Sequence, residues 1–340
     1  MTAATRRKAW TVVLAGTGIN LALGILYTWS MFKGKIAESP EFGWDKEILN
    51  DPYAICCLVF AFSMILAGRV QDRFGPRITA FVGGLLVAVG FVLIASSTSP
   101  WVWNLGFGVL TGTGIGFGYS AATPPALKWF PSWKSGMVAG IVVSGFGLAS
   151  LYIAPLAAYL LGAWGMNATM LFFGISFAVV LSALSLLLVN PPAGYKPDEV
   201  FDRPKRASTS DAPAPVAAPT IDVRPSEMLR TGRFWLLWTT DVFGGGAGLM
   251  VISSVGGMAK SSLAESAFIA VALLAVGNAA GRIVAGALSD KIGRAQTLLI
   301  MLLFQAVLMF VAIPVVGAES PSAVLLVALT TLIGFNYGTN

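Results

Sequence analysis

The sequence predicts an all-α membrane protein, with ten transmembrane helices arranged as two related halves. Three observations predict it. Hydrophobic residues make up 56% of the 340 and charged ones 11%, with a mean hydropathy of +0.77, far from a soluble domain. The basic residues are unevenly placed. Of the 22 Lys and Arg, 17 fall in one alternating set of loops, four (Lys33, Lys35, Lys46, Lys260) in the other, and one, Arg282, inside a span. That asymmetry follows the positive-inside rule, and Arg6, Arg7 and Lys8 ahead of the first span put the N-terminus in the cytoplasm. The third observation is an internal repeat, taken up below.

Apolar runs long enough for a bilayer read as spans near Ala9–Phe32, Tyr53–Val70, Ile78–Ser97, Trp101–Leu127, Met137–Leu161 and Trp164–Val189. Four more follow, at Phe234–Gly257, Ser262–Leu288, Leu298–Gly317 and from Pro321 onward. Ala9–Phe32 is too long for the apolar core of a cleavable signal and has no small-residue cleavage site after it. Between the two sets, Asn190–Arg233 carries seven basic residues and a Pro/Ala-rich tract at Ala212–Pro219, which reads as a flexible cytoplasmic connector. A short amphipathic helix is expected within it at Ser226–Thr231. The organisation is therefore 1–190, a first bundle; 191–232, a connector; and 233–340, a second bundle.

Gly68-Arg-Val-Gln-Asp72-Arg73-Phe-Gly75 after the second span recurs as Gly286-Ala-Leu-Ser-Asp290-Lys291-Ile-Gly293 after the eighth. The same 218-residue offset carries Gly116-Phe117-Gly118-Tyr119 onto Gly334-Phe335-Asn336-Tyr337. Two matches at one offset indicate a duplication. Extending the second half to the length of the first predicts a parent chain of roughly 408 residues with about twelve spans.

Arg282 stands about two turns inside the cytoplasmic end of the eighth span, with Asn278 one turn before it on the same face. A guanidinium cannot be neutralised at physiological pH, and in hydrocarbon it costs at least about 2.5–3.5 kcal/mol. It faces an aqueous cavity or an anion, or it snorkels or pairs with an acid. Its fork suits a carboxylate, and the Asn278 carboxamide suits a neighbouring hydroxyl or oxygen. The chain has no His, so a carboxylate in a span becomes the natural proton carrier. Asp241 in the seventh span reaches a depth of roughly 10–12 Å, as Arg282 does from the neighbouring span. It is either a proton acceptor whose state depends on occupancy of Arg282 or a permanent partner that positions it. Tyr119 and Tyr337, related by the repeat, bring a hydroxyl to each half. Asn336, Asn20 and Tyr27 are further polar candidates for the cavity, each with helix packing as the alternative. Cys56 and Cys57 are read as packing residues, and no metal-ligand spacing, nucleophile–base pair or phosphate loop is present. Neither an enzyme nor a bound cofactor is expected.

The Gly68-x-x-x-Asp72-Arg73-x-Gly75-Pro76-Arg77 loop and its partner Asp290-Lys291-x-Gly293-Arg294 resemble the motif of major facilitator superfamily transporters. The resemblance implies the major facilitator fold, two six-helix bundles around a central cavity in the parent protein, with Asp72, Arg73, Asp290 and Lys291 latching them on the cytoplasmic face. Trp129-Phe130-Pro-Ser-Trp133-Lys134-Ser-Gly136-Met137 through Gly140, Ser144 and Gly145 resembles the entry to the fifth helix of monocarboxylate transporters. Phe234-Trp-Leu-Leu-Trp238 with Gly248-Leu-Met-Val-Ile-Ser253 is similar to the seventh helix of the oxalate/formate antiporter group. Both groups carry an Arg in the eighth helix, which Arg282 matches. Animal monocarboxylate transporters have Asp where this chain has Asn278, so proton coupling at that position is put in doubt.

The resemblance implies a transporter of lactate- or pyruvate-type monocarboxylates, coupled to protons by alternating access, and the compact loops point to a bacterial inner membrane. An oxalate/formate exchanger and a non-transporting anion receptor are the rivals. The partners expected are a small carboxylate, a proton and the bilayer, without nucleic acid, in a protein working as a monomer.

Overall fold

A computed structural model describes residues 2–201, 223, 225–246, 267–316 and 322–339, and every regular element among them is a helix. In the first half these are α1 (Thr2–Leu23), α2 (Trp29–Glu38), α3 (Asp51–Ala95), α4 (Pro100–Trp103), α5 (Gly112–Trp129) and α6 (Ser135–Leu187). The short α7 (Pro225–Met228) and α8 (residues 232–246) follow. The second half continues with α9 (Ala267–Ile292), α10 (Arg294–Val316) and α11 (Ala323–Tyr337). Residues 202–222 with the Pro/Ala tract, and 247–266 with the end of the expected seventh span, lie outside the described residues.

Five of the described helices are long and apolar enough to cross a membrane. Two are too long to cross once: α3 has 45 residues and α6 has 53, roughly 68 and 80 Å if straight against about 30 Å of hydrocarbon. Each folds back at a glycine with positive φ, Gly75 (φ 85) and Gly165 (φ 75), a conformation that costs any residue with a Cβ. The packing registers prove the reversals. Gly108, Gly112 and Gly116 run alongside Ile55, Cys56 and Phe60 in the same order, whereas Gly114 and Gly106 meet Gly83 and Gly90 in reverse. The two limbs of α3 are therefore antiparallel. The first limb of α6 likewise runs parallel to α1, with Gly145 on Thr17 and Phe146 on Gly24. Its second limb runs against α3, with Gly174 beside Ala88 and Leu181 beside Gly84. The expected boundaries between the second and third spans and between the fifth and sixth thus fall at single-residue hinges.

Two spans depart from plain α-helix. The first passes through a 3-10 turn at Gly24–Thr28 between α1 and α2, and the fourth through a π-helical segment at Asn104–Thr111 between α4 and α5. The expected amphipathic helix is a single turn, Pro225–Met228.

The first half is built on interlocked aromatics. Phe32, Phe91, Phe107 and Phe173 are buried with ring centroids 6.0–6.5 Å apart, the edge-on geometry that ring quadrupoles favour. Where lipid tails offer helices no hydrophobic gain, close backbone approach and polar links hold them together. Thr17 Oγ1 and Asn20 Nδ2 donate to the carbonyls of Ile141 (3.3 Å) and Val142 (2.9 Å), and Tyr152 OH to that of Leu21 (3.1 Å). At the basic end, Trp129 Nε1 donates to Val189 O and Tyr195 OH to Trp129 O. Burial pushes the Tyr195 phenol up, which keeps it a donor. The two halves meet chiefly where α6 runs antiparallel to α9.

Candidate functional site

Arg282 lies on α9, which is wedged between α6 and α11 by glycine-lined seams. Gly140 faces the Arg282 carbonyl, Gly136 and Gly286 face each other, and Gly281 and Gly338 close on Phe335 and Asn278 of the opposing helices. A Cβ at any of these would run into backbone, so the glycines are what permit the close approach of the helices. These seams fix the azimuth of α9 and hence where its polar side chains project.

On that helix Arg282 Nε donates to Asn278 Oδ1 at 3.0 Å, and Asn278 is buried. The bond is an i, i+4 contact along one face. It leaves the two terminal nitrogens as the recognising edge of the fork, and it leaves Asn278 Nδ2 as a donor. Gly147 backs the carboxamide, with room for no more than a tight Cβ at 3.2 Å from its carbon. The phenols of Tyr27 and Tyr337 both lie within electrostatic reach of the guanidinium and face each other, with Tyr119 beside them. Phe146 forms the floor: its ring packs edge-on against Tyr27 (5.3 Å) and Tyr119 (5.4 Å), and Phe60 stacks on it at 6.3 Å. One cation, one carboxamide and three phenols thus converge at the seam of the halves, against an aromatic wall. An arrangement of this kind can hold a small carboxylate and hydrogen-bond its remaining oxygens.

Other expected residues go elsewhere. Asn20 is fully buried and gives its amide to Val142 O, while Asn336, also buried, gives Nδ2 to Met301 O at 2.7 Å. Both tie neighbouring helices together. Asp241 is exposed on α8 and makes no ion pair with Arg282 among the described residues, so the pairing expected from equal depth is absent. It does act electrostatically on Tyr337. Equal depth sets height along a helix and says nothing of which way its face points.

Of the latch residues, Asp290 joins the halves. Its two carboxylate oxygens accept from the backbone N–H groups of Gly136 (2.8 Å) and Met137 (2.9 Å), the N-terminal turn of α6. Arg294 Nη2 adds a bond to Ser135 Oγ at 2.9 Å. A carboxylate there satisfies free donors and meets the positive end of the helix dipole. Asp72, Arg73 and Lys291 are exposed, and Arg73 lies over the Phe74 ring at 5.3 Å. Sequence reading missed Tyr53, which stands within electrostatic reach of Tyr27 and Tyr337. A phenol at the very start of an apolar span was the available signal. It also missed Phe60, Phe146 and Gly147, whose roles depend on packing between spans.

The apolar helices define a multi-pass membrane protein, and the family it matches is one of transporters, not enzymes. The chain belongs to the Major Facilitator Superfamily, whose family description matches residues 9–340. It is 29% identical to the uncharacterized MFS-type transporter YhjX of Escherichia coli (strain K12), over 98% of this chain and 78% of that protein. It is 27% identical to the oxalate:formate antiporter of Oxalobacter formigenes over 94% of this chain and 73% of that one. With monocarboxylate transporter 13 of Bos taurus the identity is 27%, over 82% of this chain and 60% of the bovine protein.

Proposed function

We propose that the chain is a secondary transporter of short-chain monocarboxylates of the lactate and pyruvate type, moving them with a proton by alternating access. The carrying observation is Arg282: a permanent cation inside an apolar helix, held by Asn278 and free of any acidic partner among the described residues. Such a group is stabilised by an anion that arrives and leaves, and a bidentate carboxylate fits its free edge. Asn278 Nδ2 and the phenols of Tyr27, Tyr119 and Tyr337 receive the 2-position oxygen and the second carboxylate oxygen. Asp241 serves as proton acceptor, coupled to the site through Tyr337. Asp72, Arg73, Asp290 and Lys291 form the gate on the cytoplasmic side. That orientation, with the N-terminus inside, rests on the placement of basic residues, and the bacterial inner membrane on the compact loops. The unit of transport is the monomer.

A second reading is exchange of the oxalate/formate kind. It is favoured by Asn278, which puts no titratable group one turn from the arginine, and by the similarity to the antiporter. Reconstitution separates them. Symport accumulates labelled lactate in empty proteoliposomes under an inward proton gradient. Exchange requires internal anion and ignores that gradient. Binding without flux in either case supports a receptor and removes both.

A further inference from the structure

A cavity of about 310 Å³ opens at the basic end of the first half and shares no residue with the Arg282 site. Arg7 and Lys8 of α1 and Arg77 of α3 line it, together with Thr11, Leu186 and Leu187. All three cations are exposed, no acidic side chain lines the cavity, and none of them has an ion pair among the described residues. The Thr11 hydroxyl is turned to the Arg7 carbonyl at 3.0 Å, so it does not neutralise them. Leu186 and Leu187 are 64% and 44% exposed on the same wall. Three cations with no acidic partner among the described residues, Lys8 lying over the Trp129 ring at 5.8 Å, stand beside bare leucines and make a site with one charged end and one greasy side. The neighbouring cavity of about 650 Å³ at Arg6, Arg7 and Trp10 contains Glu199, which makes it the poorer anion site.

We propose that the acid-free cavity binds one anionic phospholipid of the leaflet that the basic end meets. Its phosphate is received between Arg7, Lys8 and Arg77, and an acyl chain lies along Leu186 and Leu187. Free phosphate shares the headgroup chemistry but gains nothing from the leucines, and a zwitterionic lipid shares the chains but brings its own cation. Juxtamembrane cations each strengthen binding to anionic lipid by about fivefold, so removing two weakens it roughly 30-fold.

The test uses the full chain purified in neutral detergent, with bound lipid counted by native mass spectrometry. Phosphatidylglycerol is retained on the order of 100-fold over phosphatidylcholine, about fivefold for each of the three cations, and a large excess of inorganic phosphate at matched ionic strength leaves it bound. Arg7→Gln with Arg77→Gln lowers retention roughly 30-fold, and Arg7→Lys with Arg77→Lys restores most of it. Lys196→Gln with Arg230→Gln, an equal charge loss elsewhere, leaves retention unchanged, and all variants keep the parent melting temperature. Equal retention of the two lipids, parent-like retention by the double Gln variant, or equal loss in the control pair overturns the proposal. Complete displacement by phosphate does so too, and reassigns the cations to the free ion.

Discussion

Arg282 spends one of its donors on Asn278, which makes the pair a single recognition unit. Replacing Arg282 with Lys keeps the charge but loses both the fork and the Nε bond to Asn278 at 3.0 Å. Hydrogen bonds to charged groups contribute about 1.5–3 kcal/mol each, so carboxylate uptake is expected to fall roughly 10- to 100-fold in kcat/KM. Arg282→Ala is expected to abolish saturable uptake in proteoliposomes. Asn278→Asp is the more discriminating change. A carboxylate at that position pairs with the guanidinium in place of substrate. Apparent affinity at neutral pH is therefore expected to drop about tenfold and to recover on acidification, as the new carboxyl protonates and behaves again as a neutral group. A pH-independent loss defeats this account of how the two residues cooperate.

Helix α6 carries the element-scale argument, because its glycines do three different things. Gly140 lies on the Arg282 carbonyl, Gly165 makes the fold-back at φ 75, and Gly162 faces open space. Gly140→Ala is expected to destabilise the protein by about 1–3 kcal/mol and to impair transport, since the two halves must separate to admit a Cβ. Gly162→Ala, with nothing within 4 Å, is expected to be neutral or stabilising by about 0.4–1 kcal/mol. Thermal unfolding in detergent checks the pair, and equal effects refute the close-packing argument. At this scale the chain was readable wherever periodicity or turn chemistry decides. The apolar runs marked the five helices long and apolar enough to cross a membrane, and the Gly75-Pro76 loop between the second and third runs marked a reversal. The 3-10 turn at Gly24–Thr28 and the π segment at Asn104–Thr111 left no such mark, because they arise from how spans fit each other. The same limit explains Asn20 and Asn336. A buried amide in an apolar helix looks alike in sequence whether it meets a ligand or a neighbouring carbonyl.

At the scale of the whole molecule, and among the described residues, the halves are joined chiefly at the Asp290 carboxylate on the first turn of α6 and at the α6–α9 seam beside Arg282. Asp290 was marked by the repeat and the motif it resembles, and Arg282 by a charge that hydrocarbon does not tolerate, but the α6–α9 seam was not marked, because helix contacts are set by packing. Nor was the absence of an Asp241–Arg282 pair, since helix rotation is set by packing too. Asp290→Asn removes the charge at the helix N-terminus but preserves most of the shape, at a cost of about 0.5–2 kcal/mol. If the closed basic end is the state that Asp290 stabilises, labelling of Ser135→Cys by a water-soluble maleimide rises in the variant, by roughly two- to 30-fold for that free energy. Unchanged labelling removes Asp290 from the gate. Coupling is the remaining whole-molecule property, and Asp241→Asn isolates it. A carboxamide cannot carry the proton, so gradient-driven accumulation of lactate is expected to be lost while exchange of lactate across the membrane at equal concentrations persists, because Arg282 and Asn278 are untouched. Accumulation that survives intact moves the proton to another group. Loss of both activities makes Asp241 a structural residue and leaves the carboxylate site without its proposed coupling.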